Sequence, residues 1–185
     1  MKKKLLSIIL SLAMILSLFP VGALAANGDA QPIANKTFAD VAGHWGQASI
    51  ERWANCGVLN GDDTGKFNPN NPMTRAEFAT MLVNTMGYTV KGQNNFADVD
   101  ANAWYADAVL KLAAAGIMKG DGTNANPNSY ISRQEAAVLL CRVFNITGGS
   151  SLNFADKNSV ASWAVDAVAA LYLSLIHISE PTRPY

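Results

Sequence analysis

The segment Phe38-Ala39-Asp40-Val41 returns as Phe96-Ala97-Asp98-Val99 and again as Phe154-Ala155-Asp156, each time 58 residues further along the chain. Repetition at a fixed period marks a tandem array, so the fold must be one that a short unit can build and then stack on its own copy. The correspondence runs well beyond the opening motif. Trp45, Trp104 and Trp163 match, Gly57-Val58-Leu59-Asn60-Gly61-Asp62 answers Gly116-Ile117-Met118-Lys119-Gly120-Asp121, and Asn68-Pro69-Asn70 answers Asn126-Pro127-Asn128. One residue is gained before Trp104 and one lost between Gly120 and Pro127, places where loops tolerate such changes. Polar stretches rich in small residues, Tyr88 to Asn95 and Ile146 to Asn153, separate the units as linkers.

Within each unit the apolar period is helical. Ile50, Trp53 and Ala54 align with Val109, Leu112 and Ala113, and Gly57 and Gly116 supply the stop. Phe78, Met81, Leu82 and Met86 form a second stripe, matched by Ala136, Leu139, Leu140, Val143 and Phe144. The spacing predicts helices near Gln47–Cys56, Thr74–Met86, Ala106–Ala115 and Ser132–Phe144, with Phe38 and Phe96 buried as anchors. The expected fold class is therefore all-α, built from helix-loop-helix repeats. The loop Val58 to Met73 is too rich in Gly, Asn, Asp and Pro for a strand and too regular between units for a spacer, which makes it a candidate for function.

Each second helix opens on a hydroxyl with a carboxylate three residues later, Thr74-Arg75-Ala76-Glu77 and Ser132-Arg133-Gln134-Glu135, which is the pattern of a capping box. The arginine is not needed for capping, and a cation in the first turn opposes the helix dipole. Two readings stand side by side. Arg75 and Arg133, beside the free N–H groups of a helix start, offer a carboxylate or phosphate a charge-assisted seat; or each is a surface arginine paired with a local aspartate. The first reading expects Arg75→Ala with Arg133→Ala to leave folding almost unchanged while weakening ligand binding.

Lys2, Lys3 and Lys4 precede an apolar run from Leu5 to Phe19 and a small-residue site at Ala23-Leu24-Ala25, so residues 1–25 are expected to be a cleaved secretory leader and 26–37 a linker. The run is short for a bilayer span of about 20 residues, and no membrane insertion is expected after cleavage. Of 14 basic residues, removing three leader lysines leaves 11 against 14 acidic ones, a net of −3 without any basic block, which argues against nucleic acid. Cys56 and Cys141 stand where Ala115 and Val83 stand in sister units, so both are expected to be buried thiols. Neither has the spacing of a metal site, and no cofactor is expected.

In combination, Phe-x-Asp-Val, the tryptophan, Gly-Val/Ile-x-x-Gly-Asp, the loop reaching Asn-Pro, and Thr/Ser-Arg-x-Glu resemble the S-layer homology domain. The resemblance covers one unit at 38–87, a second at 96–145 and part of a third at 154–172. It implies a pseudo-trimeric spindle whose third repeat is incomplete here, exported to the cell wall or S-layer of a Gram-positive envelope. It implies non-covalent binding, in grooves between repeats, of secondary cell wall polysaccharide carrying pyruvate ketals, with S-layer self-association as a further partner. The residues that it places in those grooves are Asp40, Asp98 and Asp156, Trp45, Trp104 and Trp163, Gly61 and Gly120, and Arg75 and Arg133. Arginine suits a ketal carboxylate, aspartate suits sugar hydroxyls, and tryptophan suits the apolar face of a ring. A large aromatic beside a short helix is nevertheless ordinarily core, so at least one of the tryptophans is expected to be buried.

After Tyr172 the pattern of the family stops, with Leu175 and Ser179 where glycines are due. Leu173 to Tyr185 resembles translated adapter sequence and is expected to be non-native, so His177 carries no role. Two other functions compete. An enzyme would need a unique pair of carboxylates, whereas those that can be placed are repeated or used in capping, so no catalysis is expected from this chain; it could still be the targeting part of a polysaccharide hydrolase. A calcium-dependent module is suggested by Asn60, Asp62, Thr64 and Gly65, at positions 1, 3, 5 and 6 of an EF-hand-like loop, but Asn71 replaces the closing glutamate, and the sister unit has Lys119 and Asn124 at the first and glycine positions.

Overall fold

The computed structural model describes residues 36–149, 152 and 155–179, the last five of these as backbone only. The expected leader, nearly all of the linker that follows it, Phe154 and residues 180–185 lie outside the described residues. The architecture is helical. Among the described residues the order is α1 (Gln47–Asn55), α2 (Arg75–Met86), α3 (Ala106–Ala114), α4 (Arg133–Phe144) and α5 (Val165–Ser179), with short 3-10 turns at Ala39–Val41, Lys157–Ser159 and Ser162–Ala164. The only extended pairing among them is an isolated antiparallel bridge between Thr74 and Tyr130. Helix α5 continues through Leu173 to Ser179, a stretch expected to lie outside the repeat.

The helix ends follow from local chemistry. At the close of α1, Gly57 takes a φ of +73° and its N–H bonds to Ala54 O, while Val58 N–H reaches Trp53 O; at the close of α3, Gly116 at +72° and Ile117 repeat both bonds onto Ala113 and Leu112. Only a residue without a Cβ adopts that left-handed turn at little cost, so two short helices stop at equivalent places. At the other end, α4 begins with a complete capping box: Ser132 Oγ accepts from Glu135 N–H, and the Glu135 carboxylate accepts from Ser132 N–H. Thr74 and Glu77 make the same exchange ahead of α2.

The chain forms two compact units, and their border does not follow the repeats. The first comprises the described residues up to Met73 together with Ala79–Thr89; the second comprises Thr74–Phe78 and the residues from Val90 onward. In the first, Phe38, Val41, Ile50 and Ala54 form a cluster against which Leu59 and Phe67 pack, and the Asn84 amide caps the Val58 carbonyl at 3.3 Å. In the second, Val109, Leu112 and Met118 are fully buried, α4 buries Ala136 through Cys141, and α5, whose Ala169 and Ala170 are buried, packs on α4. Arg142 reaches the Ile117 carbonyl at 2.7 Å, at the position where the first unit uses Asn84. Burial of each large apolar side chain contributes about 1.5–3 kcal/mol, and these clusters account for why short helices hold.

Two burial expectations need correction. Phe38 is 3% exposed, but Phe96 is only half-buried. The Phe38 ring meets the Phe67 ring at a centroid distance of 5.5 Å, whereas the sister position of Phe67 is Ala125, which has no ring to lay over Phe96. Cys141 is buried, with Sγ 3.2 Å from the Ala167 carbonyl, but Cys56 is exposed. Cys56 is the C-cap residue of α1, one step beyond the last residue whose direction the apolar stripe fixes.

Candidate functional site

The loop between the paired helices is built on two aspartates per repeat. Asp40 Oδ1 accepts from Phe67 N–H at 3.0 Å and Oδ2 from Asn68 N–H at 2.6 Å; Asp98 does the same with Ala125 at 2.8 Å and Asn126 at 2.7 Å. Each of these carboxylates fastens its repeat's opening motif to the far end of the loop. Asp62 Oδ1 accepts from Thr64 N–H, Thr64 Oγ and Lys66 N–H, and its Oδ2 accepts from the Asn68 amide at 2.7 Å. Asp121 repeats this with Thr123, Asn124 and Asn126. Asn68 and Asn126 sit at φ of +55° and +52°, a left-handed conformation that asparagine tolerates, and their side chains bond back to those aspartates. A cation entering at Asp62 would compete with these four donors, three of them on Oδ1, which weakens the calcium reading.

The same donors set the charge states. The Lys66 N–H and the Thr64 hydroxyl are foremost in holding Asp62 at about 2, and the Asn124 and Thr123 N–H groups hold Asp121 at about 2. Asp40 is also lowered, chiefly by the Phe67 N–H. The unfolded chain protonates such groups near 3.8 and the folded chain only at lower pH, so their stabilisation is complete above about pH 4 and is lost as the pH falls toward 2. Thermal melts should therefore hold level from neutral pH to about 4.5 and then fall steeply, with Asp121→Asn flattening that fall. Melts that stay level down to pH 2.5 would show that these bonds do not hold the loop.

Gly61 and Gly120 are structural necessities. A Cβ on Gly61 would stand 2.5 Å from the Phe38 ring, and one on Gly120 would stand 2.2 Å from the Asn124 carbonyl oxygen and 2.9 Å from the Phe96 ring. Their φ values of +75° and +61° point the same way.

The tryptophans reverse an expectation. Trp45, Trp104 and Trp163 are 56%, 66% and 59% exposed, so none is core. Each lies just before a helix, in a turn whose side-chain directions the helical stripe does not reach. His44 lies beside Trp45 and Tyr105 meets Trp104 edge-on, with ring centroids 5.5 Å and 5.4 Å apart, leaving most of each indole open. Asp156 is exposed as well.

The two arginines differ. Arg75 is 11% exposed; its Nη1 donates to Glu135 Oε1 at 2.6 Å and its Nε to the Ala125 carbonyl at 2.9 Å. The backbone N–H groups of Arg75 and Ala76 donate to the Ser129 and Pro127 carbonyls, each at 2.9 Å. The N–H groups that were expected to be open at this helix start are thus taken, and the partner of the arginine is the capping glutamate of the next repeat instead of a local aspartate. Sequence reasoning missed Glu135 in this role because one of its oxygens was already assigned to the cap. Arg133 is exposed, and its guanidinium makes no hydrogen bond or ion pair among the described residues.

The profile of the S-layer homology domain matches residues 37–79 and 95–137, which are the two units bounded by these aspartates and caps. The chain carries two S-layer homology domains. It is 37% identical over 122 residues to the surface-layer 125 kDa protein of Lysinibacillus sphaericus, covering 65% of this chain and 10% of that one. It is 34% identical over 161 residues to an amylopullulanase of Thermoanaerobacterium thermosulfurigenes, covering 82% and 8%. It is 34% identical over 134 residues to the S-layer protein sap of Bacillus anthracis, covering 69% and 16%. The chain thus spans a small fraction of the length of these relatives. In each S-layer homology domain the opening aspartate and the glycine shape the loop, while the tryptophan lies open.

Proposed function

We propose that the chain anchors an exported protein to the cell wall by binding secondary cell wall polysaccharide without a covalent bond. The observation that carries this reading is the exposure of Trp45 and Trp104 at one equivalent position of the two S-layer homology domains, and of Trp163 where the sequence pattern recurs. Burying an indole would contribute about 2 kcal/mol or more, so leaving the same one open three times points to a partner with flat apolar faces, such as sugar rings. The relatives lend support. A surface-layer protein and an amylopullulanase align with the same short region, as an anchor shared by proteins of different activity would. Among the described residues no helix is long and apolar enough to cross a membrane.

The finer assignment is a pyruvylated glycan. Arg133, exposed at the start of α4, supplies a cation for the ketal carboxylate, and the tryptophans supply the stacking faces. Asp156 is exposed and available to sugar hydroxyls. Asp40, Asp98, Gly61 and Gly120 act by shaping the loops that present these groups, and Arg75 by tying the second repeat to the helix start before it.

The test is sedimentation with purified cell-wall sacculi, before and after extraction of the secondary polymer. Changing Trp45, Trp104 and Trp163 together to alanine should alter stability by no more than about 0.5 kcal/mol per site and weaken binding by about 0.5–1.5 kcal/mol per indole. A triple variant that pellets as well as the parent would sink the proposal.

A further inference from the structure

The loop of the first repeat contains Asn60-Gly61, the only Asn-Gly step among the described residues; the other in the sequence, Asn27-Gly28, lies outside them. Asparagine before glycine is the pair in which a backbone nitrogen reaches a side-chain amide most freely, because glycine has no Cβ to shield that nitrogen. Asn60 and Gly61 are both exposed, so water has access to the step, and the Gly61 N–H donates to no acceptor within its own repeat. The sister step is Lys119-Gly120, which has no amide to lose.

What sets Asn60 apart is a cation on its amide oxygen. Lys36 Nζ donates to Asn60 Oδ1 at 3.5 Å, across 24 residues of sequence, and stands 5.7 Å from the centroid of the Phe38 ring. The Lys36 backbone is fastened as well, since its N–H donates to Asn55 Oδ1 at 2.6 Å. The ammonium is thus held where negative charge develops on Oδ1 when the amide carbon is attacked, and a cation already in place stabilises such an oxyanion.

We infer that Asn60 is a site of spontaneous deamidation through the Gly61 nitrogen, promoted by Lys36. The Gly61 nitrogen gives its proton to solvent hydroxide and attacks Asn60 Cγ, and the new C–N bond moves an electron pair onto Oδ1, beside Lys36. When that pair returns to re-form the carbonyl, the Cγ–Nδ2 bond breaks and Nδ2 takes a proton from water and leaves as ammonia. The cyclic imide then adds one water and opens at either carbonyl, which leaves aspartate or isoaspartate at position 60. Both products replace a neutral amide by a carboxylate next to Lys36. Isoaspartate also adds one carbon to the main chain, in a loop where a Cβ on Gly61 would already stand 2.5 Å from the Phe38 ring and 2.8 Å from the Lys66 carbonyl oxygen, so that product must displace the loop. The inference needs no ligand and stands apart from the glycan proposal.

The experiment is peptide mapping by mass spectrometry on the purified chain, aged at mildly alkaline pH with and without urea. The parent should gain about 1 Da at Asn60. Lys36→Met should slow that gain about two- to fivefold in the folded chain, as loss of an exposed cation from an oxyanion would, while Lys36→Arg should keep the rate of the parent. In urea, which parts Lys36 from Asn60, the parent and Lys36→Met should react alike. A folded parent unchanged at Asn60 after Asn27 has converted would overturn the inference, as would a folded Lys36→Met variant that reacts as fast as the parent or one that stays slower in urea. Asn60→Asp carries the new charge without the longer backbone, so it should melt like the fresh parent, whereas aged chain rich in isoaspartate should melt lower. Aged chain of that kind that melts with the fresh parent would refute the displacement of the loop.

Discussion

Gly120→Ala should lower the stability of the second compact unit by about 3 kcal/mol, the largest effect expected from adding a single methyl group to this chain. Two costs combine. The φ of +61° places an L-residue in the left-handed region, at about 1–2 kcal/mol, and the new Cβ would lie 2.2 Å from the Asn124 carbonyl oxygen, which is itself engaged with Asp121 N–H. Relief requires the loop to open, and with it the Asp121 bonds that set its shape. Gly116→Ala is the matching control. Its φ of +72° is equally left-handed, but nothing lies within 4 Å of the added Cβ, so only the conformational cost of about 1 kcal/mol applies. Urea titrations of the two variants should differ by about 2 kcal/mol. Equal losses would mean that the loop gives way freely around Gly120.

Arg75→Ala should cost about 2–3 kcal/mol, while Arg133→Ala should stay within about 0.5 kcal/mol of the parent. The asymmetry follows from what each arginine leaves behind. Removing Arg75 strands Glu135 Oε1 and the Ala125 carbonyl in a seam where the arginine was 11% and the glutamate 29% exposed. That falls short of the penalty for a fully buried pair, because solvent reaches the glutamate. A double-mutant cycle with Glu135→Gln isolates the pair: the coupling should be clearly above the level of surface pairs, and a value near zero would reduce Arg75 to a surface charge. This outcome reverses the expectation from sequence that both arginines could be removed without touching stability.

That reversal shows what the sequence made legible. The four repeat helices emerge within a residue of their expected bounds because their signals are local: a capping box at Ser132 and Glu135, a glycine stop at Gly57 and Gly116, and an apolar stripe between them. The aspartates were singled out by repetition, but not their work, since Asp40 reaches Phe67 and Asn68 across 27 and 28 residues and no periodicity encodes such a contact. The Arg75–Glu135 pair spans 60 residues and was hidden by a second cause, a carboxylate whose two oxygens serve two partners. Phe96 was misjudged because its burial depends on a residue in the loop, where Ala125 replaces Phe67. The tryptophans were misjudged because side-chain type tells nothing of direction in a turn outside any helix.

The crossing of the compact-unit border through α2 bears on how such a chain can be recombined. A cut at the linker, between Tyr88 and Asn95, looks natural from the repeats, but it would part Thr74–Phe78 from the residues with which they cluster. The piece upstream would keep α2 but lose the carbonyls that receive the N–H groups of Arg75 and Ala76, and the piece downstream would lose the cation that neutralises Glu135. Neither is a self-sufficient cassette. Gene fusions that exchange whole repeats at the linker should therefore yield poorly behaved hybrids unless the incoming neighbour brings a matching loop and glutamate. The transferable module is shifted in phase from the repeat that the eye picks out of the sequence.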